Sequence, residues 1–154
     1  ITDNLTGVYN YRFIEKTINN IVNKKNIFSI IIFDLDRFKK INDRYGHQEG
    51  NNVIRALCSN IYEVIPKNSV FGRYGGDEFI IVLLDEDKHK AIQLAERIRI
   101  IVEQTKFAVL GTNATISVGV ATSTETDKLE IIDVADKLLY KAKENGRNRV
   151  EYIK

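Results

Sequence analysis

The chain has 154 residues, 44% of them hydrophobic and 29% charged, a balance that excludes disorder and supplies one domain with a sizeable single core. Its formal charge of +2 gives no broad basic field, so long nucleic acid is not an expected partner. Cys58 is the single cysteine, which excludes an internal disulfide and, without a Cys/His cluster, a zinc site; a buried structural thiol in the reducing cytosol is expected.

In chain order, residues 9–23 place Phe13, Ile14, Thr17, Ile18, Ile21 and Val22 at helical spacing. The run FSIIIFDLD, residues 28–36, is β-branched and aromatic throughout, the pattern of a strand buried on both faces. Residues 37–46 predict a short helix closed by Gly46, and residues 47–65 a longer one through Val53, Ile54, Leu57, Ile61 and Val64, broken by Pro66. Two strands, residues 69–74 and 79–84, flank the turn Gly75-Gly76-Asp77-Glu78. A helix over 88–104 follows, with Asp85 or Asp87 as its cap, then a strand over 114–122. A helix over 130–145 ends at Gly146, and residues 148–153 form a last strand.

This order implies an α/β (α+β) fold, one mixed central β-sheet with surrounding helices. There is no internal repeat, low-complexity segment or linker, no apolar run that could span a bilayer and no signal-peptide pattern. The chain opens on Ile1 and contains no methionine, so residues 1–154 are expected to be one domain excised from a longer protein, with any membrane anchor or sensor segment outside it.

The chemistry-bearing residues gather at two junctions. The first strand runs out at Asp34 and Asp36, which period-two alternation puts on one face with Leu35 pointing away. A helix begins at once, and helix N-termini offer free N–H groups to phosphate, with Lys39 as a mobile positive charge. If the hairpin lies beside this strand, Asp77 and Glu78 approach Asp34, and three crowded carboxylates point to a hard divalent cation, Mg²⁺ or Mn²⁺. Mg²⁺ takes one or two protein carboxylates and completes its shell with substrate phosphates, so the expected ligand is a nucleoside triphosphate. Gly75 and Gly76 then let backbone approach the ligand. Taken singly, acids at a hairpin tip read as a solvated turn and a strand-end Asp as a helix cap; together they predict one site.

RYGGDEF, residues 73–79, resembles the signature of the GGDEF domain, the diguanylate cyclase family. DNLTGVYNYRF, FDLDRFKKINDRYGHQEG, ISVGVA and ADKLLYKAKENGRNRV resemble further blocks of that family, in order and across essentially the whole chain. The resemblance implies a polymerase-palm-like, nucleotidyl-cyclase fold that joins two GTP molecules into cyclic di-GMP, a bacterial second messenger, and releases two pyrophosphates. By the same resemblance Asp34, Asp77 and the Leu35 carbonyl would ligate Mg²⁺ and Glu78 would complete the acidic centre. The backbone of Arg37, Phe38 and Lys39, with Lys143 and Arg147, would hold the β- and γ-phosphates, the last two sharing a helix face at i, i+4. Asn42 would bond the guanine. Each domain holds one nucleotide and needs its neighbour's hydroxyl, so the active form would be a two-fold homodimer, controlled by an N-terminal sensor or receiver domain in the parent chain.

Two positions depart from the family. Asn51 stands where an Asp usually accepts from guanine N1–H and N2–H₂; an amide offers one acceptor end and one donor end, and the lost charge-assisted bond is worth roughly 1.5–3 kcal/mol. Strict GTP use through one bond to Asn51 helped by Asn42, and relaxed selection that admits ATP and an adenine-containing product, both follow. Pro66-Lys67-Asn68-Ser69 stands where many members carry an inhibitory Arg-x-x-Asp, so no product inhibition is expected there. Tyr11, in NYR where Asn-Arg-Arg is common, is assigned no role; His47 is expected to be structural and His89 solvated. A silent nucleotide-binding domain and a purely structural dimerisation module are the other classes; the intact acids and basic residues speak against both.

Overall fold

The computed structural model describes residues 1–107 and 111–154. Helix α1 (Tyr11–Ile21) is capped by Asn10, whose side-chain oxygen accepts from the Phe13 N–H at 3.0 Å. It is followed by β1 (Phe28–Leu35), α2 (Phe38–Tyr45) and α3 (His47–Tyr62), then by β2 (Ser69–Arg73) and β3 (Glu78–Leu84). Helix α4 (Lys88–Gln104) is capped by Asp87, while Asp85 accepts from Asn26 instead. Two short strands, β4 (Lys106–Phe107) and β5 (Thr112–Asn113), pair outside the main sheet, and β6 (Ile116–Thr122) returns to it beside β1. A 3-10 turn over Lys128–Glu130 leads into α5 (Ile131–Glu144), and β7 (Arg149–Tyr152) closes the order.

The main sheet runs β2-β3-β1-β6-β7, with β1 antiparallel to both neighbours and β7 parallel to β6. All eight residues of β1 are buried, as its unbroken apolar run requires of a central strand covered on both faces. Its odd positions Ile31, Phe33 and Leu35 face α3 and α4, packing on Ile54, Leu57, Ile61, Ala95 and Ile98. Its even positions Ile30 and Ile32 face α1 and α5, packing on Ile14, Ile18, Ala135 and Leu139. Helix α5 lies unusually close to β6 at Gly119, where a Cβ would sit 2.2 Å from the Ala135 carbonyl oxygen.

The mixed sheet and its helices match the expected class. Boundaries move where local chemistry overrides periodicity. β1 stops at Leu35, although the Asp36 N–H still bonds the Thr115 carbonyl, because the chain turns there into α2, and α3 stops at Tyr62, three residues short of Ile65. The β4–β5 hairpin escapes the sequence because two-residue strands carry no readable period. Cys58 is buried, with its thiol pushed up to about 12 chiefly by desolvation, an inert core residue as expected. His89 is exposed as expected; His47 is also exposed, at the first turn of α3, and is not packed into the core.

Candidate active site

The antiparallel register places Asp34 directly opposite Glu78, so the last acid of β1 and the first residue of β3 share the α5 side of the sheet. The hairpin does lie beside the first strand. Its apex is closed by bonds from Tyr74 N and Gly75 N to the Glu78 carbonyl, with Asp77 half-buried at the tip. Gly75 and Gly76 are exposed, adopt no left-handed backbone, and would meet nothing if given a Cβ. They leave open space beside the acids.

The acids are not ionised at ease. Asp34 is 5% exposed and its carboxyl is raised to about 6, by burial first, against the opposing bond and charge of Lys143. Glu78 is raised to about 7, by burial and then by the carboxyl of Asp136 on α5, which it meets side chain to side chain. Asp77 is also raised, again chiefly by burial. Lys143 ion-pairs with Asp34 Oδ2, and its ammonium is held above the ordinary lysine range because the Asp34 bond and the surrounding acids outweigh its desolvation. Lys143 thus supplies one positive charge to the crowded carboxylates.

Among the described residues no three acidic, histidine or cysteine side chains stand together as a ready-made metal cage. The site fits a cation that takes few protein ligands. Asp34 Oδ1 is buried with no hydrogen-bond partner, a vacant anionic acceptor beside the half-buried Asp77. Glu78 also meets Asp136, a partner that the sequence reading missed. Its signal was available: Asp136 lies seven residues before Lys143, two helical turns up the same stripe of α5.

The β1–α2 junction is where the phosphate seat is expected. Arg37 is left-handed, with φ of 59°, and makes no side-chain cap, so the first N–H groups of α2 at Phe38 and Lys39 are not taken by a capping side chain. Arg37 and Lys39 are exposed. Asn42 and Asn51 are half-buried on the facing helices α2 and α3, and Asn42 Oδ1 is buried without a partner. Gly50 makes room for it: a Cβ there would lie 1.9 Å from that oxygen.

Arg147 departs from expectation in its backbone. Helix α5 ends at Glu144, Gly146 has φ of 121°, and Arg147 and Asn148 are left-handed at 64° and 45°. Arg147 therefore does not share a helix face with Lys143; it projects from a turn beyond the helix. Asp36 is 7% exposed and accepts from Ser117, Thr115 and the Asn148 N–H.

With this geometry in place, residues 1–149 match the family described as "Diguanylate cyclase, GGDEF domain". The chain belongs to the GGDEF family. The "Diguanylate cyclase DosC" of Escherichia coli is 37% identical over 160 residues, covering 99% of this chain and 35% of that protein. The chain thus spans about a third of the length of this curated relative. A GGDEF domain of DgcB from Caulobacter crescentus, solved in complex with c-di-GMP, superposes with a TM-score of 0.88 at 28% identity, covering 98% of this chain and 92% of that one. The "active GGEEF domain of a diguanylate cyclase" from Vibrio cholerae gives 0.85 at 33% identity, covering 94% and 97%. The fold and the RYGGDEF hairpin of this GGDEF chain are those the resemblance implied. Among the described residues no helix is long and apolar enough to cross a membrane.

Proposed function

We propose that this GGDEF domain is a diguanylate cyclase that condenses two GTP molecules into cyclic di-GMP across a two-fold pair of domains. The observation that carries the reading is the facing of Asp34 and Glu78 beneath an open glycine turn, with Asp34 Oδ1 buried and unsatisfied, in a chain whose residues 1–149 match the family. Asp34 and Asp77, with the Leu35 carbonyl and Glu78, are the groups that would hold Mg²⁺ or Mn²⁺. When bound, the cation supplies charge neutralisation at the α-phosphate and lowers the pKa of the attacking hydroxyl.

The chain's own residues do the remaining work. The backbone N–H groups of Arg37, Phe38 and Lys39 and the side chains of Lys39, Lys143 and Arg147 bind the β- and γ-phosphates and neutralise the leaving pyrophosphate. In each of two equivalent steps a 3′-oxygen bonds to the partner nucleotide's α-phosphorus, the α–β phosphoanhydride bond breaks, and the hydroxyl proton passes to solvent. Closing the ring needs two domains face to face, so the domain acts as a homodimer, with control supplied by segments of the parent chain beyond this domain. A cytoplasmic location follows from the need for GTP.

A second reading concerns the base. The unpartnered Asn42 Oδ1 can accept from guanine, but Asn51 presents one acceptor where guanine N1–H and N2–H₂ would use two, and its amide can instead pair with the adenine edge. Relaxed selection, with ATP used alongside GTP, is the alternative product outcome. One experiment tests both: incubation of concentrated domain with Mg²⁺ and GTP, ATP or an equimolar mixture, with products identified by mass. Cyclic di-GMP alone supports the strict reading, a mixed or adenine product the relaxed one. Nucleotide binding without pyrophosphate release would overturn the cyclase in favour of a silent domain.

A further inference from the structure

The turn that follows α5 is strained. Gly146, Arg147 and Asn148 all have positive φ, and two of the three carry side chains that disfavour it. Such a turn persists only where its surroundings over-determine it, and here they do so from two sides. The Asn148 N–H donates to Asp36 Oδ2 at 3.1 Å, and the Asn148 side chain is gripped by α4, accepting from Arg99 at 3.0 Å and donating to Glu103. Asp36 is itself aimed. Ser117 donates to its Oδ1 at 2.6 Å, Thr115 to its Oδ2 at 2.6 Å, and its own N–H is spent on the Thr115 carbonyl at 2.8 Å. No lysine or arginine pairs with it among the described residues, so this 7%-exposed side chain is held by two hydroxyls and one backbone amide.

The position of this hub gives it consequence. Asp36 is the residue between β1 and the left-handed Arg37 that opens the phosphate seat, while the amide it holds immediately follows Arg147. One side chain thus joins two phosphate-facing segments 112 positions apart in sequence. We propose that Asp36 is a positioning residue: its carboxylate locks the left-handed Arg147–Asn148 turn against the β1–α2 junction and so aims Arg147 at the phosphate end of the nucleotide. The proposal rests on the reading that Arg147 meets the β- and γ-phosphates.

The test is the binding of 3′-deoxy-GTP, which lacks the nucleophile and cannot turn over, compared with GMP, which lacks the phosphates Arg147 would hold. Both are titrated calorimetrically in Mg²⁺. Asp36→Ala is expected to weaken 3′-deoxy-GTP roughly tenfold, the size of one lost charge-assisted contact, and to leave GMP within about twofold. Asp36→Asn, which can turn its NH₂ toward the Ser117 hydroxyl and keep an oxygen on the Asn148 N–H, is expected to restore affinity to within about twofold of wild type. In an Arg147→Ala background Asp36→Ala is expected to add nothing further. Should Asp36→Ala fail to fold, the pair Thr115→Val and Ser117→Ala carries the test, since it removes the two hydroxyls that aim the carboxylate and spares the carboxylate itself. Equal loss of both ligands, or additive loss with Arg147→Ala, would overturn the proposal and leave Asp36 a purely structural residue. If Arg147→Ala alone leaves 3′-deoxy-GTP unaffected, it is the assignment of Arg147 to the phosphates that fails, and this inference fails with it.

Discussion

Arg73 ties the glycine turn to the beginning of the chain: its Nε donates to the Gly76 carbonyl at 3.0 Å while its other arm lies 3.3 Å from the Asp3 carboxylate. Asp3 is fixed in turn by Thr6, whose backbone N–H and hydroxyl both donate to it. Burial works to raise the Asp3 carboxyl, but the Thr6 bonds and Arg73 outweigh it and hold it below the ordinary range. The apex that carries Asp77 is therefore braced by a residue some seventy positions away.

Removing that brace is expected to cost activity more than stability. The pair is partly exposed, so Asp3→Ala should destabilise the domain by about 1 kcal/mol, or about 2–4 °C in Tm. Pyrophosphate release should fall by about tenfold, because Arg73 loses the anchor that orients its grip on Gly76 and the acids drift from the reacting centre. Thermal melts alongside initial rates check this; a rate unchanged from wild type would show that the turn holds its own shape.

The raised carboxyls give a pH dependence of unusual sign. Asp34 titrates near 6 in the fold against 3.8 unfolded, and Glu78 near 7 against 4.5. Between those values the folded domain binds more protons than the unfolded chain, so their contribution to stability falls as pH rises from about 4 to 7 and is restored on acidification. Without divalent cation, this component should make the domain more stable at pH 5.5 than at 7.5, and Asp34→Asn should flatten the difference. Mg²⁺ should raise Tm at pH 7.5 and do little at 5.5, where protons occupy the same oxygens. Melts in EDTA and in Mg²⁺ at the two pH values measure all three effects.

Lys143 gives a prediction in which two readouts move in opposite directions. Its ammonium neutralises Asp34 and so stands in competition with any cation that Asp34 would bind. Lys143→Met should tighten Mn²⁺ binding to the nucleotide-free domain several-fold, because Asp34 and Asp77 lose a competing positive charge. The same change should slow turnover by at least about tenfold by removing a charge that we propose faces the leaving pyrophosphate. Mn²⁺ titration followed by paramagnetic relaxation, set beside initial rates, separates the two roles.

The sequence made legible what depends on period and adjacency. The unbroken apolar run of β1 announced a strand covered on both faces, and the two adjacent carboxylates after Gly75-Gly76 announced the acidic apex. What it could not supply was pairing register. Asp34 stands opposite Glu78 only because β3 aligns Phe28 with Leu84 at the far end, a relation set by sheet packing. The ion pair of Lys143 with Asp34 was not legible either, since nothing local to a helix shows which strand-end acid its lysine will meet. The shared helix face drawn for Lys143 and Arg147 ran through Gly146, and a glycine just past a helix end is itself the signal that helical spacing no longer applies.

Gly50 offers a way to disturb base recognition without disturbing the fold. A Cβ at this buried position would fall 1.9 Å from Asn42 Oδ1, which is the far end of a flexible side chain, and 3.4 Å from the Phe38 ring. Asn42 can swing aside, whereas α3 cannot, so Gly50→Ala should leave Tm unchanged or slightly higher, given the roughly 1 kcal/mol by which alanine exceeds glycine in helix propensity. Nucleotide recognition should change instead. With the Asn42 oxygen displaced and Asn51 offering a single acceptor, the preference for GTP over ATP should shrink by about fivefold to tenfold in kcat/KM, while GMP and AMP converge in affinity. Competition kinetics with the two triphosphates, run on wild type and Gly50→Ala together, decide the matter. A variant that keeps the wild-type ratio would place base selection elsewhere than on the α2–α3 face.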